Sequence, residues 1–177
     1  MKSITIVYPF LIIALIVHFA ACAFIIHTEI HLIPEGAQGD VFIVQGNPQG
    51  VVLQRELGAS VFNIPSSRIL VTQDPRAESY YMVSFYYVNE DGRREKLEYE
   101  SSSVNNTSEN RADQRPFVWF ERDADDGIGV PCRVKYRQYY VGTRASLITR
   151  GVDGANADEL RFRDFVNENR AMFCGSQ

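Results

Sequence analysis

Between Ile4 and Ile26 the chain carries no charged side chain, running Ile4-Thr-Ile-Val-Tyr-Pro-Phe-Leu-Ile-Ile-Ala-Leu-Ile-Val-His-Phe-Ala-Ala-Cys-Ala-Phe-Ile-Ile26. A run of that length matches the hydrocarbon thickness of a bilayer, so this segment is expected to enter a membrane. Lys2 is the one cation before it and Glu29 follows it, a bias that leaves the N-terminus inside and sends the rest of the chain outside. Two readings stay open. In one, Ile4–Val17 is the apolar part of a signal peptide, and Ala20-Ala21-Cys22 supplies the small residues and the cysteine that lipoprotein processing needs, making Cys22 the lipidation candidate. In the other, the segment stays in the bilayer as an uncleaved transmembrane helix. Either way, 1–27 is a signal or anchor segment and 28–177 is one exported domain.

Setting the anchor aside leaves about 145 residues, enough for one core. The net charge of -4 argues against nucleic acid, because phosphate binding needs a clustered positive excess. With Cys22 assigned to the anchor, Cys132 and Cys174 form an even pair that an oxidising compartment would join, and they are the disulfide candidates. No Cys/His spacing suggests a zinc site.

From Thr28 the chain reads as short strands separated by turn chemistry. Period-two alternation over Glu29–Leu32, Asp40–Gln45, Val51–Arg55, Ala59–Ile64 and Ile69–Gln73 is interrupted by Pro34-Glu-Gly36, Gly46-Asn-Pro-Gln-Gly50, Gly58 and Pro65-Ser-Ser67. Tyr80–Asn89 is the longest run, and Asn89-Glu-Asp-Gly92 reads as a hairpin turn before Arg93–Glu98. A six-strand meander would account for this half. Segment 101–115 is polar and expected to be a long exposed loop. Its Asn105-Asn-Thr107 and Asn106-Thr-Ser108 match the N-glycosylation acceptor pattern, which ordinary Asn/Ser-rich loops also match. Strand character returns at Pro116–Glu121 and Val130–Val141. A helix is expected over Asn156–Cys174, capped by Asn156 with Glu159 and carrying Leu160, Phe162, Phe165, Val166 and Phe173 as its apolar stripe. The fold class is mainly β: a sandwich or strongly curved antiparallel sheet of about eight strands with one C-terminal helix.

Ile33-Pro34-Glu35-Gly36-Ala37-Gln38-Gly39-Asp40-Val41 resembles the opening motif of an uncharacterised bacterial envelope family, Ile-Pro-Glu-Gly-x-x-Gly-x-Val, which follows a lipoprotein signal or helix. Two later segments are similar to its other motifs: Val61–Thr72, with Arg68 where the family usually has Gly, and Tyr86-Tyr-Val-Asn-Glu-Asp-Gly-Arg93. The resemblance spans 33–97 and implies a small β domain on the envelope, with no established activity to carry over.

Several side-chain sets could carry chemistry. His27, Glu29 and His31 share one face of a strand, as metal ligands do, but a polar stem leaving the membrane needs the same residues. Asp123-Ala-Asp-Asp-Gly127 is rich in oxygens but lacks full calcium-loop spacing, so a solvated turn is the simpler reading. Arg133, Lys135 and Arg137 with Tyr139 and Tyr140 form a candidate binding surface for an acidic glycan or anionic headgroup, or the wet face of an edge strand. No nucleophile, base and orienting group line up. The expected role is a membrane-anchored envelope protein that is not an enzyme and needs no cofactor. It would serve as a binding or interaction module on the periplasmic or cell-surface side, its partner an envelope protein or glycan. The alternatives are a structural envelope component or, less favoured, a hydrolytic enzyme.

Overall fold

The computed structural model of the chain describes residues 27–76, 81–100, 114–126 and 133–174. The apolar N-terminal segment with Cys22, most of the polar stretch after Glu100, and Cys132 lie outside the described residues. Among those described, no helix is long and apolar enough to cross a membrane.

Among the described residues nine strands form one sheet: β1 (His27–Pro34), β2 (Gly39–Val44), β3 (Gln54–Glu56), β4 (Ala59–Asn63), β5 (Ile69–Val71), β6 (Tyr81–Val88), β7 (Arg94–Glu100), β8 (Phe117–Asp126) and β9 (Val134–Gly142). Their order is β3-β4-β1-β6-β7-β8-β9-β2-β5. The expected strands form, but not the expected meander. β1 pairs in parallel with both β4 and β6, β7 with β8, and β2 with β5. Alternation marks a strand and its buried face but not its neighbour, so β1 and β2, separated by a short turn, end up in different parts of the sheet.

The sheet curls on itself as an open half-barrel. Ile33, Val41, Ile43, Phe62, Leu70, Phe85, Tyr87, Leu97, Val118, Tyr139 and Val141, from eight strands, meet inside the curl. The two ends of the sheet approach at Val51 and Thr72, where Val51 N donates to Val71 O and Gln73 N donates to Val51 O, both at 2.9 Å. Gly50 makes the approach possible, because a Cβ there would lie 2.6 Å from the Thr72 backbone.

Two helices follow the last strand: α1 (Arg144–Glu168), with non-helical angles at Gly151, and α2 (Arg170–Cys174). The helical region therefore starts a dozen residues earlier than its apolar stripe suggests. Thr143, not Asn156, is the cap: its hydroxyl accepts from Ser146 N while Ser146 Oγ accepts from Thr143 N, a capping box made with Ser in place of Glu. Phe162 and Val166 are fully buried against the outer face of β2, β5 and β9, with the Phe162 ring stacked on Phe42 at 4.4 Å. Leu160 remains exposed. Ion pairs hold the start of this interface: Arg150 reaches buried Asp40, and Asp158 takes Arg161 at 2.9 Å and Arg68 at 3.3 Å.

Candidate functional site

Inside the curl, below the apolar core, lies a set of polar side chains that alternation placed on the core face. Glu29 and His31 of β1 point inward beside Arg137 and Tyr139 of β9, and all four are buried. Arg137 Nη1 donates to Glu29 Oε2 at 2.5 Å, and His31 Nε2 lies 3.3 Å from the same oxygen. The proton of His31 therefore sits on Nε2, and Nδ1 accepts from the Tyr139 hydroxyl at 3.1 Å. Phe62 stacks on the imidazole at 4.6 Å, with Phe85 and Tyr139 closing its other sides.

The charges of this cluster follow from its surroundings. Burial alone would raise the Glu29 carboxyl, but the hydrogen bond from His31 and the charge of Arg137 together outweigh it and hold the group below its ordinary value. Burial pushes the His31 imidazole down, more than Glu29 can restore, and it pushes the Tyr139 phenol well up. The cluster is thus a carboxylate paired with a guanidinium beside a neutral histidine. Arg137 also lies 3.5 Å from Asp123 of β8, which Arg76 reaches from the outside.

This arrangement redraws the residues singled out from the sequence. The face of β9 bearing Arg133, Lys135, Arg137 and Tyr139 is not one surface: Arg133 and Lys135 are exposed, whereas Arg137 and Tyr139 lie inside the curl. Their strand is not an edge, since β8 and β2 flank it, and the row turns inward as the sheet closes. Tyr140 faces the other way, its hydroxyl 2.7 Å from Ser146 Oγ. Glu29 and His31 do share a face, but His27 is exposed, and no cluster of three metal-binding side chains occurs among the described residues. Asp123–Asp126 continue β8 rather than form a calcium-type turn. Cys174 ends α2, while Cys22 and Cys132 fall outside the described residues.

What sequence reading missed is the seam. Away from the Val51–Thr72 bridge the sheet does not close. A groove of about 510 Å³ opens there, lined by Val51, Val52, Leu53, Val61, Ile69, Leu70 and Val71 with Phe165 and Met172 of the helices. Val51 and Val52 are 55% and 70% exposed. No local pattern marks these valines, because the groove exists only where two sequence-distant edges meet. A second, polar cleft of about 480 Å³ lies by Arg76, Asp123 and Lys135. There Asp123 is already held by two guanidiniums.

The motif segments also converge. Tyr87 OH donates to Ala37 O at 2.7 Å, Glu35 N to Val88 O at 3.0 Å, and Arg68 to Gln38 O, so all three meet at one end of the curl.

A model of a family described only as of unknown function matches residues 26–120, more than half of the chain. Among solved structures, one described as "Putative Lipoprotein from Bacillus anthracis" superposes with a TM-score of 0.57 at 17% identity, covering 85% of this chain and all of that one. At that identity the likeness speaks for the fold. No curated protein matches.

Proposed function

The chain belongs to the family of unknown function DUF6843, and we propose that it is a membrane-held binding module of the bacterial envelope whose partner docks in the seam of the curled sheet. The observation that carries this reading is the groove itself. It is largely apolar, is bordered by strand edges, and leaves Val51 and Val52 largely in water. Concave apolar surface beside open strand edges suits an extended protein segment, which can lay apolar side chains on the floor and main-chain groups along the edge. A glycan suits it less, since Val, Leu, Ile and Met leave sugar hydroxyls without partners.

Tethering is supported by the apolar run before His27, and the structural neighbour described as a lipoprotein favours the same placement. Export to the non-cytoplasmic side rests on Lys2 and the even cysteine pair. Binding is favoured over catalysis because both ring nitrogens of His31 are engaged and the ring is sealed from water. A general base must reach a substrate proton.

The test places a photo-reactive residue at Val52 of the full chain in its own envelope, with Asp91 in the β6–β7 hairpin as control. A discrete, protease-sensitive adduct from Val52 alone is expected. A protease-resistant adduct would assign the groove to a glycan, and no adduct at Val52 would leave the structural-component reading in its place.

A further inference from the structure

The turn joining β3 to β4 consists of Leu57 and Gly58, with φ of 49° and 87°. Two successive positive φ values define the hairpin turn that normally takes Asn-Gly or Asp-Gly, because few side chains tolerate the first position. A leucine there is strained, and its side chain is fully exposed at 105%. Neither feature helps the fold, and strain coupled to exposure is where a functional contact is sought.

Its position in the sheet supplies the partner. Glu29 pairs with Ser60, so the turn before Ala59 lies beside the first residues of β1. On the other side of β1, Thr28 pairs with Met82, which is 64% exposed. Leu57 and Met82 thus flank the point where the uncharged run Ile4–Ile26 joins the domain. β9 runs in the same direction as β1, so exposed Arg133 and Lys135 stand at this end too.

We propose that this rim rests on the bilayer, with Leu57 and Met82 sunk into the headgroup–acyl boundary as contacts additional to the N-terminal anchor. The domain would then be held in one orientation, its motif-bearing end away from the membrane. This rests on the reading of 1–27 as a membrane segment. Apolar side chains at an interface with cations at the edge are the pattern of a surface that lies on a membrane without spanning it.

The full chain is reconstituted into vesicles of phosphatidylethanolamine and phosphatidylglycerol containing lipids brominated near the acyl carbonyl. With Trp119→Phe as background, Leu57→Trp, Met82→Trp and, as control, Leu160→Trp on α1 each report contact by quenching. Loss of about half the emission at positions 57 and 82 is expected for side chains some 5–10 Å deep, with none at 160. Flotation in the same samples separates the two readings. A chain that floats while 57 and 82 stay bright overturns the rim contact and leaves the anchor standing, whereas a chain that does not float overturns both. Equal quenching at 160 overturns the fixed orientation. Cross-linked dimers abolished by Leu57→Glu, without quenching, would give the rim to a second copy instead.

Discussion

Arg68 holds a left-handed backbone, φ 60°, at the position where the resembled family usually carries Gly. For an L-residue that conformation costs roughly 1–2 kcal/mol, and here the side chain offsets it: the guanidinium caps Gln38 O and pairs with Asp158 of α1. Removing the side chain should therefore expose the strain. Arg68→Ala loses the contacts and keeps the strained angle, while Arg68→Gly loses both, so urea unfolding should find the Gly variant more stable than the Ala variant by about 1 kcal/mol. His31 offers a second test. Burial lowers its folded pKa from 6.5, so on acidification the unfolded chain takes up the proton first. Stability is full above about pH 6.5 and falls below it. The depressed Glu29 carboxyl contributes above its ordinary 4.5, and its share begins to be lost only below that. The urea midpoint should thus drop between about pH 7.5 and 5.5 in the natural chain and stay level in His31→Gln; a parallel drop in both would remove His31 from the account. The glycine-position arginine was visible in the sequence. The burial of Glu29, His31 and Arg137 was not, because a charged row on a strand looks the same whether the sheet stays flat or curls over it.

At the scale of elements, strands were readable and partners were not. Asp40–Gln45, Ala59–Ile64 and Tyr80–Asn89 each anticipate a strand to within a residue or two. Parallel pairing of β1 with β4 and β6 depends on long-range closure that leaves no local trace. The helix was half readable: the apolar stripe from Phe162 to Phe173 stood out, but Arg144–Ala155 is broken up by Gly151 and Gly154, and its start is held by the Thr143–Ser146 box and the Arg150–Asp40 pair. The Cys132–Cys174 bridge remains a proposal about this element. It is supported by Phe173 packing against Phe165 next to Cys174, and by the Cys174 sulfur being bonded rather than a free thiol. Closing a loop of about 42 residues would add roughly 3–4 kcal/mol in the chain-entropy model, enough to keep α2 from fraying. Native thiol labelling without reductant, followed by peptide mapping, should leave both residues unmodified; labelling of Cys132 alone would mean that Cys174 pairs elsewhere.

Across the whole molecule, the proposed tether bears on the first residues of β1. Only Ala23-Phe-Ile-Ile26 separate Cys22 from His27, a reach of about 17–18 Å even when fully extended. On the proposal that the segment before His27 is the tether, either anchor, an acylated Cys22 or a retained helix, would hold the Leu57 and Met82 rim within a short distance of the headgroups, with the motif-bearing end away from them. The two anchors differ in mass. Signal processing would remove residues 1–21 and leave Cys22 as the acylated N-terminus, whereas a retained helix keeps Met1. We expect the processed form. Ala20 and Ala21 supply the small residues that cleavage before a cysteine needs. Intact-mass analysis of detergent-extracted protein should show a species lighter by residues 1–21 and heavier by lipid, and Cys22→Ser should abolish it. A mass that still includes Met1 would assign the tether to the helix, leaving the position of the rim unchanged.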